Sequence, residues 1–80
     1  MIVAAAIKMD GNVYGLPAPA RHHDIIRHLA SLGYDTPIKE EQGFIDDTFG
    51  FMDRQQAAAS AYTAGQIENP KDKLFTEDLW

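Results

Sequence analysis

The stretch from Gln42 to Gln66 constrains the fold most tightly, because every local signal in it points the same way. Asp46-Asp47-Thr48 is turn chemistry between two aromatic-bearing apolar runs, which predicts a hairpin. Asp53 then opens a helix as its N-cap, and Gln56 three residues later completes a capping box. Met52 before the cap and Ala57 within the helix are placed to form a hydrophobic staple. Gly65 is the glycine expected just past a helix C-terminus. The stretch reads strand, turn, strand, helix, stop.

The earlier part of the chain follows the same plan. Ile2–Met9 puts Val3, Ala5, Ile7 and Met9 on one side and Ile2, Ala4, Ala6 and Lys8 on the other. Nearly both faces are apolar, so the expectation is a central strand covered on both sides. Alanine also favours helix, but the run is short and ends in Asp10-Gly11-Asn12, a strong hairpin signal. Val13–Leu16 returns as a second strand, which Pro17 and Pro19 end because neither donates to a ladder. A helix is expected from about Ala20 to Leu32, with Gly33 as its stop. Ile25, Ile26, Leu29 and Leu32 share one of its faces, with His22 one turn earlier on that face. His23 and His28 fall on opposite flanks, and Asp24 and Arg27 point to solvent.

Residues 34–41 form a polar loop with Pro37 and a Lys39-Glu40-Glu41 cluster, read as solvated surface. Ala57, Ala58, Ala61 and Ala64 let the second helix lie close to a sheet or a partner helix. Near the end, Thr76 is placed to cap a final turn, with Phe75 and Trp80 as its staple. Phe75, Leu79 and Trp80 are too apolar for a floating tail and dock on this chain or on a neighbour. The whole reads as a single α+β domain over residues 1–80. Its core is a four-stranded, mainly antiparallel sheet from two hairpin–helix units, Lys8 to Gly33 and Ile45 to Gly65. Two helices and a short C-terminal docking turn complete it.

An 80-residue chain buries only about 60–65% of the surface its unfolded form exposes. Oligomerisation often supplements so small a core, and a homo-oligomer is expected here. There is no cysteine, which excludes disulfides, thiolate nucleophiles and Cys-ligated zinc and fits a reducing cytosol. The net charge of −5 with no basic run leaves no broad footprint for DNA or RNA. The longest apolar stretch, Ile2–Ile7, is too short to span a bilayer and lacks the marks of a signal peptide.

Candidate chemistry is sparse. His22, His23 and His28 are spaced by one, five and six, so one helix face cannot present two of them as metal ligands. No serine or threonine sits in a recognisable nucleophile elbow, and the glycines form no phosphate loop. Asp46, Asp47 and Asp53 are better explained by a turn and a helix cap than by acid–base catalysis. The start of the first helix is more pointed. Pro17-Ala18-Pro19-Ala20 offers no side-chain cap, so the first amides are open to another partner. Arg21, His22 and His23 cluster there, the outline of an anion site. A water-capped helix with His22 as a core residue is the other reading. Arg54, at the start of the second helix, is a further phosphate contact in outline, although Asp53 already occupies that cap.

Arg21-His22-His23-Asp24, Gln42-Gly43-Phe44, Asp53-Arg54, Ala64-Gly65-Gln66 and Glu77-Asp78-Leu79-Trp80 carry a resemblance that covers nearly the whole chain. The chain resembles a family of small proteins encoded by tailed bacteriophages and prophages. Small phage proteins of this size include anti-defence sponges, oligomers that sequester nucleotide-derived immune signals such as ADP-ribose derivatives without cleaving them. By that analogy the chain is expected to be a non-enzymatic binder of a small nucleotide-like ligand in the host bacterial cytoplasm, without metal or cofactor. Arg21, His22 and His23 would hold a phosphate, and Gln42, Phe44, Arg54 and Gln66 are further candidates. Phe44 would stack on a base while the glutamines read its edge, although a strand position also suits Phe44 as core. Two other readings stand: an inhibitor or adaptor that binds a host protein through an acidic face, and a small hydrolase using His22 or His23 as base.

Overall fold

The computed structural model describes residues 1–9, 11–34 and 41–80. Strands β1 (Ile2–Met9) and β2 (Asn12–Pro17) form a hairpin, and helix α1 (His22–Ser31) follows. Strands β3 (Glu41–Asp46) and β4 (Gly50–Asp53) form the second hairpin, and helix α2 (Arg54–Thr63) and a 3-10 turn (Thr76–Asp78) complete the order. The sheet runs β2-β1-β3-β4 with every neighbouring pair antiparallel. It is the α+β architecture expected from two hairpin–helix units. Asp10 and the polar segment with Pro37, Lys39 and Glu40 lie outside the described residues.

The Gln42–Gln66 unit forms as its local chemistry dictates. Asp53 accepts from the Gln56 amide at 2.7 Å, and the Gln56 side chain accepts from the Asp53 amide at 3.2 Å. Gly65 takes the left-handed conformation (φ 76°) after α2. α1 is shorter than expected. It ends at Ser31 with Leu32 as its C-cap and Gly33 at φ 99°. Leu32 therefore leaves the apolar face and is 59% exposed, whereas Ile25 and Leu29 are buried. Pro17 is the last paired residue of β2, opposite Ala4, a position that an edge strand tolerates.

Both helices pack on one face of the sheet. Ile25 and Leu29 of α1 lie on Ala5, Ile7 and Met9, with Tyr14, Leu16 and Ile26 beside them. Ala57, Ala58 and Ala61 of α2 lie on Phe44 and Ile2, with Met52 alongside. A register irregularity between Ile2 and Ala4 brings Ile2 onto that face. β1 is central in the sheet and covered on both sides, as expected, although its outward side carries no helix among the described residues. Ala4 and Ala6 are nonetheless buried. Ala6 pairs with Gly15 and Gly43, a row without bulk. Ile45 and Phe51 lean over that row. A Cβ on Gly15 would sit 2.6 Å from Ile45 Cδ1, and one on Gly43 would strike the Phe51 ring and the Met52 carbonyl. The sheet roofs its own outer face with two large side chains.

The C-terminal segment docks on its own chain. Leu74 is fully buried in the α2 cluster, and Leu79 and Trp80 pack against it. Thr76 does not cap the final turn. Phe75 is the N-cap residue, and the Asp78 carboxylate reaches back to accept from the Phe75 amide at 2.9 Å.

Three outcomes follow from this packing. Asp53→Ala removes a cap and is expected to cost about 0.5–2 kcal/mol, read from urea melts of both proteins. Gly43→Ala is expected to cost about 1–3 kcal/mol or more, because the Met52 carbonyl cannot move aside. In the same melts Gly15→Ala should cost less, since the Ile45 terminal methyl can rotate away.

Candidate functional site

The start of α1 is where the sequence places an anion site. Arg21 is the N-cap residue, in extended conformation, and its side chain makes no cap. Asp24 supplies one bond from inside the helix, accepting from the Arg21 amide at 2.8 Å. That N–H holds the Asp24 carboxyl below its ordinary range, with His23, Arg27 and Arg21 adding in the same direction. The amides of His22 and His23 have no protein partner among the described residues. The Arg21 guanidinium donates to the Trp80 main-chain oxygen at 2.5 Å, and the Trp80 indole donates to the Ala20 carbonyl at 2.9 Å. The end of the tail is thereby fastened to the beginning of α1.

The three residues of this cluster diverge. His23 is exposed, 3.4 Å from the Asp24 carboxylate. His22 points inward. Its Nε2 lies 2.7 Å from the Gly43 carbonyl, which only accepts, so Nε2 carries the proton. The ring meets Phe44 edge to face, with centroids 5.1 Å apart and planes at 83°. Burial lowers the His22 pKa from its ordinary value, the Gly43 bond opposes this, and the nearby Arg54 charge lowers it further.

The other nominated residues also serve the fold. Phe44 is fully buried between the sheet and α2, away from any external base. Arg54 donates to the Leu74 carbonyl and to the Gln42 side chain, each at 2.8 Å, and its guanidinium lies 4.7 Å from the Phe75 ring centroid. Gln66 accepts from the Ile2 amide at 2.7 Å and donates to the Ile2 carbonyl at 2.9 Å. Its amide group thus acts as an extra strand partner for the start of β1. The structure joins Gln42 to Arg54 and His22 to Phe44, but the seven residues line no common cavity. The described residues enclose no pocket and hold no group of three metal-ligating side chains.

One feature escaped the sequence reading. Phe49, at the tip of the β3–β4 hairpin, is 76% exposed, the most exposed large apolar residue described. The turn beneath it is tightly held. The Asp46 carboxylate accepts from the Thr48 amide at 2.8 Å, the Phe49 amide at 3.1 Å, the Ser60 hydroxyl at 2.6 Å and the Met1 ammonium at 3.0 Å. These donors, the Ser60 hydroxyl foremost, hold Asp46 well below the usual carboxylate range. Gly50 follows in the left-handed conformation (φ 80°), as a three-residue hairpin loop requires. Met1 is also exposed and accepts from the Asp47 amide through its carbonyl. The legible signal was Phe49 directly before a turn glycine, where strand alternation cannot hide its ring.

His22 gives a pH signature. Its folded pKa lies below the unfolded value of about 6.5, so the unfolded chain takes up the proton first. Its contribution to stability is complete above that value and is lost as pH falls through it. Denaturant melts between neutral and mildly acidic pH should show this fall. His22→Gln retains a donor for Gly43 without titrating and should flatten it, while an unchanged slope would assign the effect to another group.

No curated protein and no solved structure matches the chain. The family model described as Phage T4 y16D protein matches residues 1–80, the whole of the sequence, and the chain belongs to that family of phage proteins.

Proposed function

We propose that this phage protein is a non-enzymatic binding protein that engages a host protein through the β3–β4 turn, with Phe49 as the anchor. The carrying observation is the conjunction of a ring that is 76% exposed with a turn held by four hydrogen bonds to one buried carboxylate. A hydrogen-bonded turn loses little backbone entropy on binding, and an exposed aromatic upon it suits an interface anchor. Asp47 flanks it, with its side chain 53% exposed, and the chain carries a net charge of −5. The complementary surface is therefore an apolar pocket bordered by basic side chains.

The sequestration of a nucleotide-derived signal is the second reading. It is favoured by the amides of His22 and His23, which have no partner among the described residues, beside Arg21, and by the exposed His23. Because one chain encloses no pocket among its described residues, that ligand would sit at a boundary between copies.

Two experiments separate these readings. A photocrosslinker at position 49 should trap one host protein, whose purified form should bind the wild-type chain. Phe49→Ala should cost at least about 2 kcal/mol of that binding and leave the melting temperature nearly unchanged. Full binding by the variant would refute the anchor. Calorimetry of the wild type with ADP-ribose derivatives and cyclic nucleotides should give no heat under the first reading. Heat that is lost in Arg21→Ala and His23→Ala would establish the second.

A further inference from the structure

The sheet face that carries no helix among the described residues has a charge pattern that matches itself under a two-fold rotation. Across the order β2-β1-β3-β4 its midline runs between β1 and β3. Lys8 on β1 and Glu41 on β3 are register partners on either side of that line, and both are exposed. On the β2–β1 half the outward residues are small or short, Val13, Gly15, Pro17, Ala4 and Ala6. On the β3–β4 half they include the bulky pair Ile45 and Phe51. Val13 is 44% exposed, and neighbouring Val3 is 41% exposed.

We infer that this face is the interface of a homodimer, with its two-fold axis parallel to the strands along the β1/β3 midline. That operation lays β1 over the partner's β3 and β2 over the partner's β4. It also sets Lys8 of each copy against the Glu41 position of the other, twice by symmetry. A second copy is the occupant that the charges select, because opposite signs lie at mirror positions about one line. Aligned packing of two twisted sheets supplies the geometry. Four strands about 4.8 Å apart and rows rising about 3.3 Å per residue give a footprint of about 20 Å by 20 Å. That is small for a specific interface, so association belongs in the micromolar range. The same axis leaves both β3–β4 turns at one end of the dimer, a two-pronged arrangement that strengthens binding to a repeated partner.

Sedimentation of the full chain from low to high micromolar concentration tests this. Wild type should pass from one chain mass to two. Lys8→Glu alone and Glu41→Lys alone each set like charges against each other and should weaken the dimer by about tenfold or more. Mixing the two variants should restore a dimer containing one of each. In that pairing, position 8 of either copy again faces a charge of opposite sign at position 41 of the other. The mixture carries the same substitutions as its parents, so its recovery also excludes misfolding as the cause. A wild-type monomer at high micromolar concentration, unweakened single variants, or a mixture that stays monomeric would each overturn the inference.

Discussion

The bond from His22 to the Gly43 carbonyl joins the two hairpin–helix units, and much of the architecture depends on that joint. His22 belongs to the first unit, whose core is Ala5, Ile7, Met9, Ile25 and Leu29. Gly43 and Phe44 belong to the second, whose core is Ile2, Phe44, Leu74 and the α2 alanines. The imidazole bridges these clusters with a polar edge toward the Gly43 backbone and a ring contact on Phe44. A buried polar group must find a partner, and here the partner ties the start of α1 to β3. The requirement reaches further, because Gly43 lies where a Cβ would strike the Met52 carbonyl.

The polar residues at the two helix starts form a second layer of constraint. Arg54 holds the Leu74 carbonyl while Leu74 donates back to the Arg54 carbonyl at 3.0 Å. Arg21 holds the Trp80 oxygen, and Gln66 completes the pairing of Ile2. These contacts secure a tail that supplies Leu74, Leu79 and Trp80 to the core. A small domain has few apolar residues to bury, and this chain recruits the segment from Leu74 to Trp80 to that task. Arg21 and Arg54, which look like phosphate contacts in sequence, therefore also serve as fasteners of the tail.

Charge and aromatic exposure divide the surface differently. The outer sheet face is roofed by its own Ile45 and Phe51 and edged by Lys8, whose ammonium lies 5.9 Å from the Phe51 ring centroid. The hairpin tip presents Phe49 over a buried carboxylate. The two surfaces lie on different parts of the molecule, so the proposed dimer and the proposed capture of a partner at Phe49 would not compete.

Local sequence determined whatever depends on neighbouring residues. The hairpin at Asp46–Thr48, the Asp53–Gln56 box, the stop at Gly65 and the inward face of Ile25 and Leu29 all follow from spacing within a few positions. Their physics is one turn of backbone and one period of side-chain direction. The family and the α+β plan were legible for the same reason, as motifs and repeated punctuation along the chain. Tertiary structure decided what depends on distant partners. Whether Arg54 and Gln66 meet a ligand or the chain itself rests on where residues 74 and 2 arrive, separations of 20 and 64 positions. Whether β1 is covered by helices on one side or both rests on which face α1 and α2 choose, and a nearly all-apolar strand cannot encode that choice. The bonds from Thr48 and Phe49 to Asp46 are local turn chemistry, but the further hold on that carboxylate was hidden, because Ser60 and Met1 reach it across 14 and 45 positions.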